Sequence, residues 1–338
     1  MAGTAYRTAS HPYPGRMSEP SSPSAARIWT GLGVVYFFWG TTYLAIDRSN
    51  QTIPPLVGPA VRFCLAGAIL MGWSRIRHGW RRPTARQWRS AAVVGCLLLL
   101  GGNGSVAVAE HLGVDTGIVA LIIALVPIWI ALIDRVLLRS APLGMHVVIG
   151  LIGGFGGAAV LVGGQVAGHV TVLGLLVAVV ASLSWACGSL YQRGAPIADD
   201  PLQSSGMQQL AGGVAIGLVA LFAGQFRELH PSQVSRESAL ALLYLIVFGS
   251  LLTLSCYLWL LRVARTSLVS TYAYVNPVVA VFLGWLVLRE PITAQILVAA
   301  AVILASVALI VSAAGAARDR SSGEDRRTKL EAEIGFEG

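Results

Sequence analysis

Ten long apolar runs, separated by short polar or charged segments, constrain this chain more than any other feature of its sequence. Of its 338 residues, 55% are hydrophobic and only 12% are charged. Soluble domains carry about 25% charged residues, so this chain has too little polar surface to cover a water-soluble globule. A run of about 20 apolar residues is long enough to cross a bilayer as a helix. The sequence therefore predicts an all-α integral membrane protein.

We predict ten transmembrane helices, with no separate signal peptide before the first. Their approximate positions are residues 28–46, 54–73, 91–110, 116–134, 143–162, 170–190, 203–224, 238–261, 266–288 and 292–314. Residues 1–27 are rich in Ser, Pro and Arg and predict a disordered cytoplasmic tail. Residues 315–338 are charged and predict a second cytoplasmic tail.

The basic residues predict the orientation, because cytoplasmic loops retain Lys and Arg. If both termini are cytoplasmic, most of the 24 basic residues lie on the cytoplasmic side. Arg62 then lies within the second span, and the external loops hold only Arg48, Arg227, Arg236 and Arg289. The sequence thus predicts a multi-pass protein of the cytoplasmic membrane.

The two halves of the chain match each other at nearly constant offsets. Trp39 matches Trp185 at an offset of 146 residues, and Pro127 matches Pro277 at an offset of 150. The predicted five-helix repeats are residues 28–162 and 170–314. Because each repeat has an odd number of spans, equivalent helices cross the membrane in opposite directions, which is typical of transporters with a midplane substrate site. Chance identity among apolar residues is the alternative.

Polar and aromatic side chains inside the spans are the candidates for a substrate cavity. They are Trp39, Thr42, Tyr43, Arg62, Asn103, Trp185, Gln208, Tyr274 and Asn276. A cation in hydrocarbon costs about 2.5–3.5 kcal/mol on insertion scales, so Arg62 is expected to face a cavity, a substrate carboxylate or an acid such as Glu110. Snorkelling, interhelical hydrogen bonds and lipid-facing aromatic rings are the structural alternatives.

Three further residues are candidates for coupling and movement. Glu110 shares a helix face with Asn103 and is the candidate for carrying a proton, although a solvated helix end explains it as well. Pro127 and Pro277 lie in the middle of their spans and predict kinks, which either form hinges or stay fixed.

Several functional classes lack support in the sequence. The four cysteines lie in apolar runs without metal-ligand spacing, and neither a Walker motif nor a catalytic motif occurs, so no metal, cofactor or enzymatic activity is predicted. Nucleic-acid binding requires basic residues on one solvated face, interleaved with aromatic residues. Here the excess of basic residues lies between the apolar runs. A membrane enzyme would have only the scattered Glu110, His111 and Asp115. A receptor that does not transport is a further alternative.

Five segments carry a resemblance to a known family. They are WGTTYLAI (39–46), PPLVGPAVRF (54–63), GNGSVAVAEH (102–111), TGIVALIIALVPIW (116–129) and YAYVNPVVAVFLGWLVLREPIT (272–293). In order and spacing, residues 28–314 resemble the EamA-type transporters of the drug/metabolite transporter superfamily. The resemblance implies ten helices in inverted repeats and export of amino acids, metabolites or toxic compounds. It also implies a central cavity with candidate residues Trp39, Arg62, Asn103, Trp185, Gln208 and Asn276.

One turn departs from the family pattern. The second half reads REP at 289–291, whereas the first half reads RSAP at 139–142, with Ser140 at the usual place of the acid. We therefore expect a secondary exporter that works by alternating access on a small molecule in the lipid bilayer, with gates that differ between the halves. An uncoupled facilitator is the alternative. The substrate, the coupling ion and the choice between monomer and homodimer stay open.

Overall fold

The computed structural model describes residues 24–79, 82–136, 145–166, 171–264, 266–269 and 271–312. Within these ranges the chain is mostly helical and contains no β-strand. Of the two predicted tails, all but residues 24–27 lie outside the described residues. For residues 25–27 the prediction of disorder is wrong, since the first helix begins at Ala25. The Ser24 side chain accepts a hydrogen bond from the Arg27 amide and so caps the helix N-terminus.

The long helices are numbered here in chain order. They are α1 (Ala25–Asn50), α2 (Val57–His78), α3 (Ala85–His111), α4 (Thr116–Val136), α5 (Met145–Val166), α6 (Val172–Gly194), α7 (Pro201–Phe222), α8 (Arg236–Val263), α9 (Tyr272–Leu283, continued by Gly284–Leu288) and α10 (Ala294–Ser312). Short helical turns are Gln225–Glu228, Pro231–Gln233 and Thr266–Val269.

A helix lies on each of the ten predicted segments, and the ends differ by a few residues. The starts of α3 and α9 differ most, each by six residues, and α3 begins at Ala85 instead of residue 91. Thr84 and Gln87 form a capping box there, in which each side chain accepts from the other residue's backbone amide. Such caps start a helix before its apolar run, so hydropathy places the start too late.

Seven helices of the described ranges are long and apolar enough to cross a membrane. They are α2, α3, α4, α6, α7, α8 and α10. Shorter apolar stretches lie in α5 (Met145–Val160) and α9 (Val275–Leu288). Large apolar side chains such as Ile76 and Phe222 are almost fully exposed at the surface. Lipid tails cover such an apolar surface at no cost in free energy, whereas its exposure to water is unfavourable.

The helices are irregular at matching places in the two halves. Wide π-helical turns run through Gly95–Gly104 in α3 and Leu245–Leu254 in α8. The two prolines behave differently. The helix of α4 is interrupted at residues 124–125, just before Pro127, whereas α9 continues through Pro277. A hinge at either proline stays a prediction.

Helix α2 packs most extensively against α7, and glycines allow the two backbones to approach closely. A methyl group on Gly67 would lie 2.6 Å from the Leu210 amide nitrogen and 2.8 Å from the Gly206 carbonyl oxygen. One on Gly213 would lie 2.7 Å from the Cys64 amide nitrogen. Small residues at such crossings are typical of helix packing in membranes, where van der Waals contact drives association.

We predict that Gly67→Ala lowers the stability of the protein by about 1–3 kcal/mol, because the added methyl group overlaps the backbone of α7. Gly72→Ala is the matched control. It lies on the same helix with nothing within 4 Å of the added carbon, and alanine favours a helix over glycine by up to about 1 kcal/mol. The measurement is the unfolding midpoint of each purified variant in detergent. Equal midpoints for the two variants would contradict the backbone contact.

Candidate functional site

A cavity lies between α1, α3, α4, α6 and α9. It is lined by Trp39, Thr42, Tyr43, Ile46, Gly102, Asn103, Val106, Ile123, Trp185 and Asn276. The cavity has a volume of about 50 Å³, which is enough for roughly three to five water molecules. Pockets that hold small molecules measure about 300–1,000 Å³. The cavity in this structure is therefore smaller than the pockets that ordinarily hold small molecules.

Trp39 stands at the centre of an aromatic cluster on one side of the cavity. Its ring centroid lies 5.5 Å from that of Trp185, 4.7 Å from Tyr257 and 5.2 Å from Tyr272. The contacts with Trp185 and Tyr272 are T-shaped, an arrangement that aromatic rings favour. Four aromatic residues from α1, α6, α8 and α9 thus meet at one place, and they offer ring faces and edges to a flat or cationic solute.

The cavity wall also carries polar atoms that lack a hydrogen-bond partner. The Asn276 side-chain oxygen and the Trp185 indole nitrogen are both buried, and neither has a partner among the described residues. Asn103 donates a long hydrogen bond of 3.4 Å to the Leu98 carbonyl oxygen of its own helix. Buried polar atoms without partners are costly, so they mark places where a bound molecule or water is favoured. Asn276 and Trp185 line the cavity, but these two atoms are shielded from it in the present conformation.

The structure brings together six of the nine residues predicted to form a cavity. They are Trp39, Thr42, Tyr43, Asn103, Trp185 and Asn276. Their role in binding stays a prediction. Arg62 and Gln208 are not among the lining residues. The side chain of Tyr274 lies outside the described part of the structure.

Arg62 lies behind the cavity wall. It is buried, donates from Nε to the Ser250 hydroxyl at 2.7 Å and stacks 4.6 Å from the Phe63 ring. A methyl group on Gly249 would lie 2.6 Å from Arg62 Nη2 and 3.3 Å from Thr42 Cγ2, so the guanidinium lies close to a residue that lines the cavity. Among the described residues no carboxylate lies within 4 Å of its guanidinium, so the expected pair with Glu110 does not form.

Gln208, the residue that the repeat matches to Arg62, is buried in α7. Its amide nitrogen donates to the Ser204 hydroxyl at 3.3 Å, one turn earlier, while its oxygen has no partner in the described ranges. The neighbouring Gln209 donates to Ser205 and to the Ser250 carbonyl oxygen. Ser250 therefore links Arg62 and Gln209, and these residues form a polar set between α2, α7 and α8.

Glu110 lies at the end of α3 next to the α3–α4 connection and is only 6% exposed. Neither of its carboxylate oxygens has a hydrogen-bond partner among the described residues. Two other carboxylates, Asp47 and Glu290, are close enough to act on it electrostatically. The expectation of a solvated helix end is therefore wrong for Glu110, whereas it holds for the exposed His111.

Glu290 joins the second half of the chain to α4. Its Oε1 accepts hydrogen bonds from the Thr116 amide and hydroxyl, both at 2.8 Å, and its Oε2 accepts one from the Gly117 amide at 3.3 Å. We call these contacts of Glu290 with Thr116 and Gly117 the Glu290 latch. A carboxylate is stabilised at a helix N-terminus because the free amides and the helix dipole both favour negative charge.

Asp115, in the connection between α3 and α4, lies beside the Glu290 latch. Burial, together with the nearby charges of Glu290 and Asp47, raises its pKa to about 6. Its side chain makes no capping hydrogen bond to α4, and the latch takes that role. Acidic groups therefore gather at this end of the cavity.

No group of three or more His, Cys, Asp or Glu in the described ranges is placed to hold a metal ion.

Two sets of residues were missed as site candidates. Tyr257 belongs to the aromatic cluster, and its signal in the sequence is an aromatic residue that closely follows Thr253 and Ser255 in α8. Asp47 and Glu290 lie at helix ends, where a charge is ordinarily solvated. Glu290 stands out only as the acid of the REP turn, and nothing in the sequence places either residue near Glu110. Glu290 is 174 residues from its partner Thr116.

Comparison with known proteins identifies the family. A model of the EamA-like transporter family matches residues 29–163 and again residues 172–312. The uncharacterized inner membrane transporter YedA of Escherichia coli (strain K12) is 34% identical over 259 residues, which cover 76% of this chain and 81% of that protein. Protein PecM of Dickeya dadantii (strain 3937) is 27% identical, with 80% and 88% covered.

A solved crystal structure shows the same fold. It covers 85% of this chain and 96% of its own chain, with a TM-score of 0.59 and 20% sequence identity. The names of the matching family and of its relatives indicate a transporter rather than an enzyme.

We predict that Asp115→Asn raises the unfolding midpoint at neutral pH. Its pKa is about 6 in the folded protein and 3.8 as the ordinary value, so the charged form destabilises the fold. That penalty grows as pH rises through this window and vanishes below about pH 4. The gain from Asp115→Asn should follow the same curve, measured by thermal unfolding in detergent from acidic to neutral pH. Glu228→Gln, on an exposed turn, is the control. A gain of equal size at all pH values would contradict the assignment.

Proposed function

Because this chain belongs to the EamA-like transporter family, we propose that it is a secondary transporter which moves a small solute through its central cavity by alternating access. It is a multi-pass protein of the cytoplasmic membrane. The observation that carries the proposal is the cavity itself, since helices from both matched segments contribute to it. Trp39 and Asn103 come from the first segment, and Trp185 and Asn276 come from the second.

The proposed topology has ten spans in two inverted repeats, residues 28–162 and 170–314, with both termini in the cytoplasm. Two successive matches to one family model support the repeats. The π-helical turns Gly95–Gly104 and Leu245–Leu254 support them too, because they lie 150 residues apart, at the offset seen in the sequence. In this orientation the Glu290 latch lies on the external side of the membrane.

The proposed substrates are amino acids, small metabolites or drugs, and the proposed direction is export. The cavity supports this class because aromatic rings and uncharged polar atoms line it. Binding requires the cavity to widen, since about 50 Å³ is less than a solute of this class occupies. Trp39, Asn103, Trp185 and Asn276 are the proposed contacts, and Arg62 acts on the cavity from behind Thr42.

Counterflow in proteoliposomes tests transport without any driving gradient. Vesicles with the purified protein are loaded with one unlabelled compound from a panel of amino acids and cationic dyes. Uptake of the same compound in labelled form is then followed. We expect transient accumulation for at least one member, and protein-free vesicles are the blank. If no compound accumulates, the transporter proposal fails for these classes.

We predict that Trp39→Ala lowers kcat/KM for the transported compound by about tenfold or more. The substitution removes the contact that the ring would make with a flat or cationic solute, which is worth about 0.5–1.5 kcal/mol beyond burial, and a loss of 1.4 kcal/mol corresponds to a factor of ten. Trp29→Ala is the matched control, because Trp29 lies on the same helix but is 59% exposed. Trp39→Phe should recover part of the rate. Equal effects of Trp39→Ala and Trp29→Ala would remove the aromatic cluster from the binding site.

A further inference from the structure

Glu110 is a buried acid whose surroundings do not suit a negative charge. Both of its oxygens are inaccessible to solvent and lack a hydrogen-bond partner in the described ranges. An ionised carboxylate in such a place is strongly disfavoured unless it is paired with a cation. A carboxyl group that holds a proton is neutral and avoids this cost.

The charged groups around Glu110 favour the same state. Helix α1 contributes Tyr43 and Asp47, and the neighbouring Arg48 lies 3.9 Å from the exposed Glu237. Glu290 faces Glu110 from the turn after α9. Asp115 follows in the α3–α4 connection, and the His111 side chain is exposed. Helix α6, the other main neighbour of this part of α3, has no titratable side chain over residues 172–184.

These neighbours supply more negative than positive charge, and a bound cation would relieve that excess. The acids are not close enough together to form a group of three metal ligands in the described part of the chain. A proton needs only one carboxylate, and Glu110 is the member of this group that is buried without partners.

Glu110 is also connected to the solute cavity. It lies on the face of α3 that carries Asn103 and Val106, both of which line the cavity. Val106 is four residues away, or about 6 Å along the helix. Tyr43 lines the cavity and is close enough to Glu110 to interact with it electrostatically. A solute that moves Tyr43 or turns α3 therefore changes the surroundings of Glu110.

We propose that Glu110 is a proton-binding site and that its proton is exchanged for the solute across the membrane. This inference rests on the transport function proposed above. The carboxylate takes up one proton from external water when the Glu290 latch is open and becomes a neutral carboxyl group. Closing the latch buries that carboxyl group, as in the present structure. Release of the proton on the cytoplasmic side, and binding of the solute there, restores the carboxylate for the next cycle.

The first experiment detects the proton directly and needs no substrate. Infrared difference spectra of the purified protein in lipid are recorded between acidic and alkaline buffer. We expect a carboxylic C=O band that is lost on alkalinisation and that is absent from Glu110→Gln. Glu237→Gln is the matched control, since it removes an exposed carboxylate at the same end of the protein. An unchanged difference spectrum in Glu110→Gln would overturn the proton site.

The second experiment measures coupling, with a compound that shows counterflow. An imposed pH difference should drive its accumulation in proteoliposomes, and one-for-one exchange sustains a concentration ratio of up to about ten for each pH unit. The ratio should fall to about one in Glu110→Gln and stay at the wild-type value in Glu237→Gln.

The results separate the two proposals. Counterflow without any response to the pH difference, or a wild-type response in Glu110→Gln, would overturn the coupling while leaving transport intact. Absence of counterflow would overturn transport, and the exchange inferred from it, whereas the infrared band would still decide whether Glu110 binds a proton.

Discussion

The close approach of helix backbones at glycine is the constraint on which the rest of the structure depends. A methyl group on Gly102 would lie 2.7 Å from the Trp185 ring, and one on Gly40 would lie 2.6 Å from Val279 Cβ. Helix α6 can therefore lay Trp185 against α3, and α9 can lie directly beside α1. Lipid provides no hydrophobic force between helices, so such contacts decide which helices pack together. The cavity lies between these helices, beside the aromatic cluster around Trp39.

The π-helical turns of α3 and α8 share the same kind of side-chain hydrogen bond. Asn103 donates to the carbonyl oxygen of Leu98, five residues earlier, and Thr253 donates to that of Phe248, again five residues earlier. π-helical turns often occur at functional sites, and they leave carbonyl groups that side chains can satisfy. The backbone of α3 thus holds one end of Asn103 while the same residue lines the cavity. Its orientation is set before any solute arrives.

Much of this arrangement follows from hydropathy and residue type, and the rest depends on contacts between distant segments. The apolar runs predict the helices well because lipid requires every backbone hydrogen bond to be made within the segment. Trp39, Asn103 and Asn276 were identifiable as cavity candidates because polar and aromatic groups in spans need partners. Arg62 fits the same rule, but its partner is Ser250 on α8 and not the cavity. A sequence does not tell which neighbour a helix face meets. Glu290 belongs to the turn that resembles the family pattern, and only the fold brings it to Thr116.

The Glu290 latch also links the conformation of the protein to the entry of water. While it is closed, one side chain satisfies the first two amides of α4. When Glu290 leaves, its carboxylate loses three hydrogen-bond donors, and water has to take their place. Opening is therefore linked to wetting. The latch stays closed while this end of the protein is dry. Each opening admits the water through which a proton reaches Glu110.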